Sequence, residues 1–200
     1  MKKLFILLLL VFFSFNLFAQ NWDIDLLKSI NTHPPASGIW KGFSSSAYPL
    51  VAVTPIAQFG YGWLSKNKEE QKNGVETAIS IASSAIIAEG LKVVVNRQRP
   101  LEKYPTEVFP QSEETGHSFP SGHTTLAFAT ATSLTLEYKK WYVAVPAYLW
   151  AGAVGYSRLY LGMHYPSDVF AGALIGAGSG FLSHWLTHKI YHVKSKKEKV

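Results

Sequence analysis

Apolar residues gather in five runs divided by short polar breaks: Tyr48 to Leu64, Val75 to Val95, Thr124 to Leu136, Trp141 to Tyr156 and Val169 to Ile190. All exceed an ordinary strand, none alternates with period two, and no Asn-Gly or Asp-Gly pair joins two alternating runs. The pattern predicts an all-α fold, a bundle of five to six core helices in one domain. Ahead of the runs, residues 21–40 mix charges with Ile24, Leu26, Leu27 and Ile30, which reads as short amphipathic helices ended by Pro34-Pro35. Met1-Lys2-Lys3, the apolar stretch Leu4 to Phe13 and Leu17-Phe18-Ala19 have the layout of a secretory signal cleaved after Ala19 or Gln20. The alternative is an uncleaved first span. The expected organisation is therefore a signal over 1–19, one domain over 20–190 and a basic tail over 191–200.

Charge turns this bundle into a membrane candidate. Only 16% of residues are charged, against about a quarter in soluble domains. If each run crosses from one end of the bundle to the other, twelve of the nineteen Lys and Arg residues collect at one end, from Lys2 and Lys3 through Lys66–Lys72, Lys139-Lys140 and Lys189 to the tail. Asp23, Asp25, Glu102, Glu107, Glu113 and Glu114 fall at the other. Such asymmetry is the positive-inside signature of spanning segments. It favours a multi-pass envelope protein over a soluble periplasmic bundle, although Thr124 to Leu136 is short for a span and Glu76, Glu89 and Lys92 interrupt another. Gly172, Gly176 and Gly180, at spacing four, mark a close-packing helix face. The net charge of +6 is thus topological, and no nucleic-acid partner is expected. The absence of cysteine excludes disulfides, thiolate metal sites, a cysteine nucleophile and a lipoprotein anchor.

Candidate chemistry lies in three clusters on the acidic end: Lys92 with Arg99-Pro100, then Pro120-Ser121-Gly122-His123, then Ser157-Arg158 with His164 and Asp168. Three fixed cations beside two histidines suit a phosphate, whose transfer is governed by positioning and electrostatics. Lys92 and Arg99 are expected on one helix face, with Pro100 stopping that helix. Arg158 offers a planar fork for two oxygens. Ser121 reads as an N-cap and Gly122 as a point of close backbone approach, so the helix start would aim amides at an anion. His164 precedes Tyr165-Pro166 and should sit on a turn, with Asp168 in the first turn of the last helix. There Asp168 would accept a hydrogen bond from one ring nitrogen of His164 and leave the other to attack.

In order the clusters read K-x6-R-P, P-S-G-H and S-R-x5-H-x3-D, and this set resembles the type 2 phosphatidic acid phosphatase superfamily, which also holds class A acid phosphatases and vanadium haloperoxidases. The stretch from Ser157 to Asp168 is most similar to the membrane-bound lipid phosphatases. The resemblance implies that His164 attacks phosphorus, that a phosphohistidine forms, and that His123 protonates the leaving oxygen and then activates water. It implies phosphate binding by Lys92, Arg99, Ser121, Gly122 and Arg158, no metal or other cofactor, and a phosphorylated lipid or small phosphate ester as substrate. A soluble acid phosphatase, a haloperoxidase and a non-catalytic phospholipid binder are the rival outcomes. His117 reads as a loop histidine without a role. His184, His188 and His192 repeat at spacing four near the basic end and read as an interfacial or solvated face rather than metal ligands.

Overall fold

A computed structural model describes residues 22–110 and 115–197, with side chains described as far as residue 190. The expected signal segment lies outside the described residues. Helix α1 covers residues 22–30. It is followed by α2 (Gly38–Leu64), α3 (Lys68–Val95), the short α4 (Pro100–Lys103), α5 (Gly122–Tyr138), α6 (Trp141–Tyr160) and α7 (Pro166–Lys197). Among the described residues there is no strand. Each of the five apolar runs lies within one helix, and α7 carries the basic tail onward as helix through Lys197.

Helix ends depart from the apolar runs for physical reasons. α2 starts at Gly38 rather than Tyr48, because its first turns pack through small polar groups that carry no hydrophobic signal. Ser46 Oγ accepts from Trp150 Nε1 at 3.1 Å and Ser44 Oγ from Arg158 Nη1 at 2.6 Å. α3 is capped by Asn67, whose side chain accepts from the amides of Glu69 and Glu70, and those two acids sit at the positive end of the helix dipole. Its other end is Asn96, with φ 48°, a left-handed conformation that asparagine tolerates better than most residues.

The centre of the bundle is α5, which packs against α2, α3, α6 and α7. Its buried residues are small: Ala127, Ala129, Ala131, Thr124, Thr125, Thr130, Thr132 and Ser133. The Gly172–Gly176–Gly180 stripe of α7 presses on this helix, and a Cβ on Gly176 would stand 2.1 Å from the Thr125 carbonyl oxygen. The stripe is therefore an internal seam between α7 and α5.

Large apolar side chains face outward instead. Ile56 on α2, Ile86, Val93 and Val94 on α3, Leu149 on α6 and Phe170 and Leu174 on α7 are all more than half exposed. A polar interior inside an apolar coat is the arrangement that lipid favours and water does not. Two stretches, Lys68–Lys103 (α3 running on into α4) and Pro166–Ile190 of α7, are long and apolar enough by themselves to cross a bilayer. The runs in α2, α5 and α6 are not among them. α5, with 17 residues, is only about 25 Å long.

Candidate active site

The turn between α6 and α7, residues 161–165, is buried almost completely, with His164 2% exposed. It can fold back so tightly because Gly162 adopts φ +66° and a Cβ there would lie 2.9 Å from the Phe109 carbonyl oxygen. Asn31, just after α1, holds the same point, donating to the carbonyls of Phe109 and Tyr160 at 2.8 Å each. Pro166 opens α7 and Asp168 sits in its first turn, as the sequence predicts.

His164 Nδ1 lies 2.8 Å from the carbonyl oxygen of Ser118. A carbonyl only accepts, so Nδ1 carries the proton and Nε2 the lone pair. Asp168 Oδ2 stands 3.6 Å from the same nitrogen, which is ion-pair distance and too long for a hydrogen bond. The expected Asp168–His164 hydrogen bond is thus replaced by a main-chain one, with the carboxylate alongside. The reason is that Asp168 is already engaged on both oxygens, with two donors on Oδ2, the oxygen nearer His164. Its Oδ2 accepts from Ser118 Oγ at 2.5 Å and from the Tyr165 amide at 3.0 Å, and its Oδ1 accepts from Arg97 Nη1 at 2.6 Å. Burial, foremost, holds the His164 imidazole below the usual histidine range; nearby Arg158 and Arg99 push the same way, and Asp168 opposes them.

Arg97 is a further cation of the site that the three motifs do not single out. It donates to Ser167 Oγ, to Asp168 and, through Nη2 at 2.6 Å, to Asp23 Oδ2. Its guanidinium also lies 3.8 Å from the centre of the Tyr165 ring. Asp23, 2% exposed, caps the start of α7 by accepting from the Ser167 amide at 2.8 Å and from the Ser167 hydroxyl. Arg97 occupies an unspecified position of K-x6-R-P, and the only signal was a further cation in a motif already supplied with two. Asp23 is marked in the sequence only as one of the acidic residues of this end, and Ser118 by nothing.

The remaining motif residues converge on this turn. α3 ends at Val95, so Arg99 is not on the helix of Lys92; it lies in extended backbone, and Pro100 begins α4 rather than ending α3. Arg99 donates through Nη1 to the Met163 carbonyl at 3.0 Å and through Nε to the Gly116 carbonyl at 3.1 Å, which grips the residue before His164. Arg158 is buried at the end of α6 and bridges to α2 through Ser44. The Lys92 ammonium pairs with Glu89 at 2.7 Å and lies 3.7 Å from where a Cβ on Gly122 would be. It therefore reaches the P-S-G-H turn from α3.

That turn is tied to α7 by the Ser121 amide, which donates to the Asp168 carbonyl at 3.0 Å. Ser121 occupies the N-cap position of α5 but makes no capping hydrogen bond; its hydroxyl accepts instead from Thr124 at 2.9 Å. The amides of Gly122, His123 and Thr124 are the first of the helix, which no intrahelical carbonyl can satisfy. His123 is half-buried, with its ring centre 4.4 Å from that of Tyr48 on α2. His117 is half-buried next to Ser118. The arrangement offers a buried imidazole with its lone pair on Nε2, a second imidazole, three cations and a helix start.

Comparison with known proteins supplies the family. A family profile described as the PAP2 superfamily matches residues 73–191. A lipid A 4′-phosphatase of Bacteroides thetaiotaomicron is 41% identical over 75 residues, 38% of this chain and 33% of that one. This match thus spans about a third of the Bacteroides protein. An undecaprenyl-diphosphatase of Sulfolobus acidocaldarius is 30% identical over 166 residues, 81% of this chain and 77% of that one. Among solved structures, Aquifex aeolicus LpxE superposes with a TM-score of 0.66 at 27% identity, covering 81% of this chain and 94% of that one. A transmembrane PAP2-type phosphatidylglycerolphosphate phosphatase from Bacillus subtilis shares the fold with a TM-score of 0.70 at 24% identity, covering 94% and 96%. Matched by the family profile over more than half its residues and by the Sulfolobus relative over most of both chains, this chain belongs to the PAP2 superfamily.

Proposed function

We propose that the chain is a phosphatase of the cell envelope that hydrolyses a phosphate or pyrophosphate monoester of a membrane lipid through a phosphohistidine on His164. The observation that carries this reading is the 2.8 Å contact of His164 Nδ1 with the Ser118 carbonyl, which leaves Nε2 as the nucleophilic nitrogen. Nε2 attacks phosphorus, and the bond to the ester oxygen breaks. His123 gives that oxygen its proton. Water then attacks the phosphohistidine, His123 takes a proton from it, and phosphate leaves with His164 restored. Lys92, Arg99, Arg158 and the amides at the start of α5 match the charge on the three equatorial oxygens. Asp168, held by Arg97 and Ser118, stabilises the cation that His164 becomes.

A lipid substrate is supported by the apolar coat and by relatives named for lipid A and undecaprenyl diphosphate. The lysine asymmetry supports a multi-pass topology with His164 at the periplasmic face. The test is phosphate release by the purified protein from lipid A, polyprenyl diphosphate, phosphatidylglycerol phosphate and phosphatidic acid, beside soluble sugar phosphates and p-nitrophenyl phosphate. Turnover of at least one lipid well above every soluble ester is expected. Equal turnover of soluble esters would place the protein with broad acid phosphatases instead. No step requires a metal, so activity should survive a chelator, and orthovanadate should inhibit by mimicking five-coordinate phosphorus.

A further inference from the structure

At the far end of the bundle from His164, α3 and α7 bring together three metal-ligating side chains that the phosphatase chemistry does not use. Donor atoms of Glu76, His184 and His188 all lie within 4.8 Å of one another. Glu76 is only 1% exposed. One of its oxygens meets His184 Nδ1 at 2.5 Å, while Oε2 is buried with no hydrogen-bond partner among the described residues. His184 and His188 are one turn apart on one face of α7, with ring centres 4.2 Å apart. Lys72 Nζ lies 3.3 Å from His188 Nε2. An ammonium only donates, so this nitrogen already presents its lone pair.

The surroundings favour a cation. Glu137 of α5 is near enough to Glu76 for their charges to interact, and its oxygens accept from Thr77 at 2.8 Å and Gln58 at 2.6 Å. A buried carboxylate oxygen left without a partner, as Glu76 Oε2 is among the described residues, is expensive, and a bound cation would satisfy it. Lys72 lies at the rim of this group, half-exposed.

We propose that Glu76, His184 and His188 form a divalent transition-metal site of the Zn²⁺ type that clips α3 to α7. Two imidazoles and one carboxylate are a donor set that zinc accepts in tetrahedral geometry, with the fourth position open to water. Tetrahedral donors around zinc stand about 3.3 Å apart, so the group closes on an ion by side-chain rotation, with Lys72 swinging outward. The ion takes no part in hydrolysis. It ties the two helices together at the end away from Lys92 and Asp168, so its removal should lower thermal stability and leave hydrolysis intact.

The test uses the full chain in detergent, purified with a histidine-free tag, and Zn²⁺ alone as the probe. Equilibrium dialysis with metal analysis should find about one tightly held Zn²⁺ per chain, and added Zn²⁺ should raise the melting temperature. His184→Gln and His188→Gln should each weaken binding by about 100-fold or more and remove the thermal shift. His188 is half-exposed, so its replacement tests binding in a folded protein even if Glu76→Gln or His184→Gln fails to fold. His123→Ala, at the opposite end, should bind as the wild type does. Absence of saturable Zn²⁺ binding by the wild type, or binding undiminished in His188→Gln, overturns the site.

Discussion

A histidine that donates Nδ1–H to a carbonyl has one free lone pair, and its pKa decides how far into acid that lone pair survives. Burial disfavours the imidazolium of His164 and lowers its pKa, so the attacking form persists below the usual histidine value of about 6.5. In a His123→Ala background with p-nitrophenyl phosphate, where no proton donor is needed, the acid limb of kcat/KM should therefore fall below that value. A limb at or above it would remove the nucleophile assignment. The same pair of variants separates the two imidazoles. His164→Ala should abolish turnover and acid-labile labelling alike. His123→Ala should lose about a hundred- to ten-thousand-fold on an alkyl or lipid ester, lose far less in the first step on the aryl ester, and accumulate the labelled enzyme. Arg97 acts through Asp168 and is a positioning residue. Arg97→Ala strips two buried carboxylates of their common cation, which should cost about 3 kcal/mol in unfolding stability. It should lower kcat with little change in KM, whereas loss of a phosphate contact such as Lys92 should raise KM as well.

Helices were readable as apolar runs because a residue facing lipid and a residue facing a packed neighbour are both chosen for apolarity, whichever side proves to be the interior. Their ends were not. Val93, Val94 and Val95 continue an apolar run, and only the left-handed Asn96 stops it, so Lys92 and Arg99 looked like one helix face when they are not. The three motifs were legible because each is local in sequence. The support beneath them was not, since Asp23 and Arg97 are 74 residues apart and spacing cannot pair residues at that separation. The glycine stripe was visible as a periodicity, but its partner became clear only with α5 against it. That contact is testable. In Gly176→Ala the new Cβ would meet the Thr125 carbonyl at 2.1 Å and the Ala129 amide at 2.8 Å. Both are backbone atoms, so no side chain can yield and the helices must part. Since Ser121 and Asp168 join the same two helices, thermal stability and activity should fall together. Gly178→Ala, two residues on with nothing within 4 Å, should be neutral or gain about 0.5–1 kcal/mol from helix propensity. Equal behaviour of the two variants would mean that the seam is looser than the distances imply.

The polar contacts of the whole molecule separate its two ends. Tyr138 donates to Glu70 at 2.9 Å, Gln58 to Glu137 at 2.6 Å, and Lys72 meets His188; these pairs gather the α2–α3 turn, the α5–α6 turn and the last turns of α7. That end bears Lys66, Lys68, Lys72, Lys139, Lys140 and Lys189. The other end holds α1, α4, His164 and the acidic residues Glu102 and Glu107, both exposed. Between them lies the belt of outward isoleucine, valine, leucine and phenylalanine. With lysines retained on the cytoplasmic side, phosphate would be released on the opposite face, and the lipid headgroup would meet His164 from that side of the bilayer. The chain has no cysteine, so single cysteines report topology without background. Glu102→Cys on α4 and Lys140→Cys between α5 and α6 occupy exposed positions at opposite ends. An impermeant maleimide applied to cells with an opened outer membrane should label Glu102→Cys at once and Lys140→Cys only after the inner membrane is permeabilised. Labelling of Lys140→Cys from outside would invert the topology and move the chemistry to the cytoplasm. Recovery of the folded protein without detergent would mean that the apolar belt faces something other than lipid.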